Sequence, residues 1–156
     1  METSSSSKSH LLQKVADELT HLLADTYTLY LKTQNFHWNV TGPLFPQLHK
    51  LFEEQYLELA DAVDVIAERI RALGGHAPAS FTEFQKLSSL KDETNSDVVA
   101  TTMVKKLLKD HETISHHLLI IFSKAEKAND QATIDLLTER MRAHDKTAWM
   151  LRSSLE

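Results

Sequence analysis

One stretch of the 156-residue chain holds His49, Glu53, Asp64 and Glu68 as two pairs, each spaced by four, with His37 shortly upstream. Imidazole and carboxylate are ligands for iron, manganese or zinc, so the residue types point to a metal site without choosing the metal. At about 100° per residue on a helix, and with His49 at zero, Glu53 falls near 40°, Asp64 near 60° and Glu68 near 100°. The apolar residues Leu48, Leu51, Phe52, Tyr56, Leu59, Val63, Ile66, Ile70 and Leu73 fall in a different arc, roughly 200° to 340°. The candidate ligands therefore face away from the core that their own helix builds. A solvated charged face has the same pattern, and helical spacing alone leaves both readings open.

A rise of 1.5 Å per residue puts His49 and Asp64 about 22 Å apart along a straight helix, far beyond the reach of ligands to one ion. Two antiparallel copies of the helix about a two-fold axis remove the difficulty. The pairs 49 with 68 and 53 with 64 share one midpoint, 58.5, so each histidine end meets the carboxylate end of the other copy. A two-fold contact must be self-complementary. Leu57 and Ala60, at about 80° and 20° on the ligand face, would form its seam.

Four long amphipathic helices must position these residues. Residues 1–7 are small, polar and without periodicity, and read as a disordered tail before a domain spanning residues 8–156. Leu11, Leu12, Val15, Leu19, Leu22, Leu23 and Tyr30 then recur at three and four residues, which predicts a first helix from about Lys8 to Gln34. The segment NFHWNVTGPLFP breaks that period, and Pro46 suits the first turn of a second helix reaching about Leu73, where Gly74 and Gly75 stop it. A connector of about 20 residues follows; a Ser or Thr before Glu83, with Phe81, Phe84 and Leu87, predicts one short helix within it. The third long helix starts after Asn95 or Ser96 and reaches about Lys127, with Val99, Met103, Leu107, Ile114, Leu118, Ile121 and Phe122 inward. The fourth runs from near Asp130 to Leu151 or beyond. The fold class is all-α: a ferritin-like four-helix bundle with a short helix in the long connector.

Composition narrows the chemistry. No cysteine is present, which leaves no thiolate nucleophile and no Cys-held zinc or iron-sulfur cluster. A net charge of −5 argues against a general nucleic-acid surface. No run approaches the length of a membrane span, and the N-terminus lacks the basic-then-apolar pattern of a secretory signal, so the expected location is the cytoplasm and no membrane partner is expected. Other histidines carry weaker signals. His111, His116 and His117 cluster, but HETIS lacks the second His of H-E-x-x-H. Glu18 and His21 make one E-x-x-H, whereas a di-iron site inside a four-helix bundle needs two such pairs and two further Glu. His10, His76 and His144 read as surface or internally satisfied residues.

The stretch KTQNFHWNVTGPLFPQLHKLFEEQYLELADAVDVIAERIRALGG, residues 32–75, closely resembles the Dps family of mini-ferritins, the DNA-binding proteins from starved cells. The resemblance implies a ferroxidase site shared between subunits, with metal-ligand roles on His37, His49, Glu53, Asp64 and Glu68. The family often has Asp where this chain has Glu53, whose arm is one methylene longer. Trp38 reads equally as a packing anchor or, from the family's placement of this Trp beside the iron site, as a radical quencher. Asp130 and Asp135 resemble the acids of the family's three-fold pore, through which iron enters; acids at a helix start are equally explained by the helix dipole.

The resemblance further implies a hollow homo-oligomeric dodecamer built from two-fold dimers. It would oxidise Fe(II), preferentially with hydrogen peroxide and otherwise with O2, store ferric mineral and protect against oxidative stress. Two rival functions share the fold. One is DNA compaction, but the first ten residues offer only Lys8 against Glu2, and a shell of twelve such chains would carry roughly sixty negative charges, so DNA binding is expected to be weak or absent. The other is a bundle that holds zinc, the substitute ion for iron here, without redox chemistry.

Overall fold

The computed structural model describes the backbone of residues 2–156 and the side chains from Ser5 onward. Five helices form: α1 Glu2–Asn39, α2 Phe45–Ala72, α3 Phe81–Leu87, α4 Ala100–Lys127 and α5 Gln131–Ser153. No strand occurs among the described residues. α1 packs on α2 and α4, and α5 packs on α4 and α2, which closes a four-helix ring.

Hydrogen bonds from α1 trace the long connector. His21 Nδ1 lies 3.0 Å from the Leu87 carbonyl, Asp25 accepts from the Ser89 amide at 2.6 Å, Lys32 donates to the Lys91 carbonyl at 2.9 Å, and Asn35 donates to the Glu93 carbonyl at 3.3 Å. The connector thus runs along α1 from its middle toward its C-terminal end. α4 therefore starts beside the end of α1 and runs antiparallel to it, the crossover connection of a ferritin-like bundle.

The core is the apolar stripe of each helix turned inward. Leu19, Leu22, Leu29, Phe36, Phe52, Leu59, Ile66, Leu107, Ile114 and Leu118 are fully buried, each worth about 1.5–3 kcal/mol relative to exposure. α2 ends as its glycines dictate. Gly74 takes φ 90°, its amide donates to the Arg71 carbonyl, and the Gly75 amide donates to the Ile70 carbonyl, so two carbonyls of the last turn are satisfied. Ser80 and Glu83 cap α3 reciprocally.

Three boundaries differ from the sequence reading. α1 takes in residues 2–7, read above as a tail; a helix already nucleated extends through serines at a small cost per residue. α1 also continues through the NFHWN motif to Asn39. Phe36 and Val40 are buried there, and packing outweighs the modest helix propensities of Asn, Phe and His. Val99 is 63% exposed rather than inward, because α4 begins at Ala100, three or four residues later than expected, and Val99 is its extended N-cap.

Candidate metal centre

The turn between α1 and α2 sets two histidines ring to ring. His37 lies in the last turn of α1, His49 follows in the second turn of α2, and Gly42 at φ 105° supplies the left-handed backbone that lets the chain reverse. The rings stack with centroids 3.9 Å apart and planes inclined by 14°. His37 Nδ1 lies 2.6 Å from the His49 carbonyl oxygen, and His49 Nδ1 lies 2.7 Å from the His37 carbonyl oxygen. A carbonyl only accepts, so each Nδ1 donates its proton there, and Nε2 is the ring nitrogen left for any other bond. Bonds of this kind fix ring orientation and raise the basicity of the nitrogen left for a metal. Phe45 stacks on His49 at 5.0 Å, and Tyr56 sets its ring against His37 at 5.2 Å and 70°.

The carboxylates lie outward. Glu53, Asp64 and Glu68 are exposed, whereas His37 is buried and His49 half-buried. Leu57, between the two carboxylate groups, is 53% exposed, and Ala60 is half-buried. Among the described residues, no three His, Asp or Glu side chains of one chain come close enough to hold a metal ion. One chain therefore joins His37 to His49, with Glu53 one helical turn further on, and leaves Asp64 and Glu68 apart. Trp38 is 61% exposed and, among the described residues, forms no aromatic pair.

Asp130 is buried and caps α5. It accepts from the Thr133 amide at 3.2 Å and from Arg69 Nη2 at 2.6 Å, and its second oxygen accepts from the Thr133 hydroxyl. Both oxygens are thus bound within the chain. Asp135 is exposed on the next turn.

The remaining histidines have structural partners or lie on the surface. His21 pairs with a carbonyl and Glu18 with Lys124, so the single E-x-x-H serves packing. His10, His76 and His116 are exposed, and His117 Nδ1 lies 3.3 Å from Asp25. Spacing gave no sign that His111 and His144, far apart in sequence, meet in the core with Nδ1 atoms 2.8 Å apart. The available signal was phase, since His111 lies between the buried Leu107 and Ile114, and His144 between Leu137 and Leu151. Arg140 Nη2 approaches His144 Nε2 at 2.9 Å. Guanidinium only donates, so His144 holds its proton on Nδ1 and donates it to His111. The His111 proton then sits on Nε2, a buried atom with no protein partner. Burial, with Arg140 beside it, pushes the His111 pKa down to about 3. Burial, then His111 and Arg140, push His144 well below the usual imidazole range.

Comparison with known proteins agrees with this architecture. Residues 16–156 match the Ferritin-like domain family. The chain is 42% identical over 145 residues to a low temperature-induced protein of Nostoc, covering 92% of this chain and 81% of that one. It is 35% identical over 142 residues to the DNA protection during starvation protein of Helicobacter pylori, covering 91% and 99%. The crystal structure of a Dps protein from Bacillus brevis matches with a TM-score of 0.91 at 35% identity, covering 94% of this chain and 98% of that one. The chain belongs to the Dps family. The Dps protein from Vibrio cholerae O1, described as a member of a broad superfamily of ferritin-like diiron-carboxylate proteins, matches with a TM-score of 0.91 at 30% identity, covering 95% and 92%. The four long helices and the short connector helix expected from the sequence are the Dps arrangement. No helix of the described residues is long and apolar enough to cross a membrane.

Proposed function

We propose that this Dps chain binds Fe(II) at sites shared by two antiparallel copies of α2, oxidises it and stores the ferric product in a hollow dodecamer, so protecting against peroxide. The observation that carries the reading is the reciprocal His37–His49 pair, which leaves two imidazole Nε2 atoms beside an outward carboxylate face, while no three such side chains meet within the described residues of one chain. His37, His49 and Glu53 of one chain then meet Asp64 and Glu68 of the other. The exposed Leu57 and the adjoining Ala60 form the seam, whose apolar surface is removed from water on pairing.

The donor set suits iron. Neutral imidazoles hold Fe(II), and three carboxylates favour the ferric state as positive charge rises. Two Fe(II) and one hydrogen peroxide, with two protons, give two Fe(III) and two waters, which removes iron and peroxide together. O2 is the alternative oxidant, and zinc competes for the same ligands. Asp135, on the next turn from the capping Asp130, serves the entry of iron through the three-fold pore. DNA binding is weak, because the shell is strongly negative.

Anaerobic Fe(II) titration followed by peroxide tests the reading. The expected result is saturable Fe(II) binding and rapid ferric absorbance at stoichiometric peroxide, from a particle of about twelve subunits. Fe(II) bound without oxidation would favour the zinc-type, non-redox bundle. A monomeric protein would overturn the shared site.

A further inference from the structure

The chain contains three tyrosines, and they form one continuous row that starts at His37. The Tyr56 ring stands edge-on to His37 at 5.2 Å and 70°. Tyr30 stands edge-on to Tyr56 at 5.9 Å and 72°, and Tyr27 to Tyr30 at 5.6 Å and 67°. The row ends where Phe84 stacks on Tyr27 at 4.8 Å. Tyr56 comes from α2, while Tyr30 and Tyr27 lie one turn apart on α1, so the helix pair that holds the two histidines also aligns the phenols. All three are half-buried. Each ring is packed against aromatic neighbours, and each residue keeps part of its surface in contact with water. The Tyr30 hydroxyl accepts from the Gln34 amide at 3.4 Å; the ring packing itself would be served equally well by phenylalanine, which is not oxidised by one electron under these conditions.

Building on the proposed function, we propose that Tyr56, Tyr30 and Tyr27 form an electron-donating row that supplies peroxide with its second electron when only one Fe(II) occupies the shared site. Hydrogen peroxide needs two electrons to become two waters. With one Fe(II) present, iron supplies one electron, and the other must come from elsewhere or the O–O bond breaks to release hydroxyl radical. Tyr56 is the oxidisable ring in contact with the ligand His37. The balanced step takes Fe(II), hydrogen peroxide, one phenol and one proton to Fe(III), two waters and one neutral phenoxyl radical; the O–O bond breaks, and the phenolic hydrogen ends in water. The vacancy then moves by exchange between like groups. Tyr30 gives an electron to the Tyr56 phenoxyl and its phenolic proton to water, while the reduced Tyr56 takes a proton from water; Tyr27 does the same for Tyr30, which carries the radical away from the metal ligands. Trp38 and Trp149, both largely exposed, lie outside this row.

The test loads the assembled protein anaerobically with one Fe(II) per site and adds one peroxide. Ferric absorbance, a freeze-quenched electron paramagnetic resonance spectrum and a hydroxyl spin trap are read from the same sample. The expected spectrum is a tyrosyl radical that narrows when the protein carries ring-deuterated tyrosine. Tyr56→Phe keeps the ring and its contact with His37 but loses the oxidisable phenol. That variant should oxidise iron, lose the tyrosyl signal and release severalfold more hydroxyl adduct. Tyr30→Phe should keep the signal but confine oxidation, mapped by peptide mass, to residue 56. Normal iron oxidation with no tyrosyl signal, with a tryptophan-type radical instead, or with equal adduct from wild type and Tyr56→Phe would overturn the row and leave the ferroxidase reading standing. Absent iron oxidation in the wild type would overturn both.

Discussion

His37 and His49 lock each other: the Nδ1 proton of each is held by the backbone carbonyl of the other, at 2.6 and 2.7 Å, while the rings stack. Neither ring is independently placed. His37→Ala should remove one imidazole and also free the other to rotate, weakening Fe(II) binding by at least about tenfold. Its cost in stability should stay near 1–3 kcal/mol for the lost hydrogen bonds. Isothermal titration with Fe(II) under nitrogen, paired with urea unfolding, separates the two effects.

The buried pair His111 and His144 makes stability depend on acid. The folded chain holds both rings neutral, His111 down to about pH 3, whereas the unfolded imidazoles titrate near 6.5. Between those values the unfolded chain binds more protons, so stability is complete above about pH 6.5 and is lost as the pH falls. The slope approaches about 1.4 kcal/mol per pH unit for each histidine. Asp110, whose pKa is raised by burial and only partly restored by Lys32, acts in the opposite sense. Urea midpoints between neutral pH and mild acid should therefore fall steeply for the wild type and less steeply for His111→Gln/His144→Gln.

Asp130 and Asp135 are expected to separate into a structural and a conducting acid. Asp130→Ala removes both the cap of α5 and the partner of Arg69, at a cost of about 3 kcal/mol. Asp135→Asn should leave the unfolding midpoint within about 0.5 kcal/mol of the wild type, as for most surface changes, and slow iron uptake into the assembled shell. Thermal unfolding and stopped-flow uptake on both variants check the division.

The sequence showed most clearly what helical periodicity records. The inward stripes around Leu19, Leu59, Leu107 and Ile114, the stop at Gly74 and the capped helix at Ser80 all leave a local signature. So does the outward face of Glu53, Asp64 and Glu68, since one angle per residue separates it from the core. Less visible were features made by two helices together. The His37–His49 lock needs α1 to continue beyond Gln34 through a motif where the apolar period breaks, and it is buried Phe36 that carries the helix on. His111 with His144, and Tyr56 with Tyr30, are contacts between residues far apart in the chain; each occupies a core-phase position where an apolar residue would be ordinary.

The proposed site is divided between two chains, and mixed shells test that division most directly. His49→Ala chains and Asp64→Ala/Glu68→Ala chains should each oxidise iron poorly alone. In a dimer of one with the other, one interface site collects every lesion, and the second keeps His37, His49 and Glu53 from one chain with Asp64 and Glu68 from its partner. Co-expressed shells, with mixed dimers verified by native mass spectrometry, should recover peroxide-driven iron oxidation at half the sites of each mixed dimer. Mixed shells as inactive as the two separate variants would contradict the shared site.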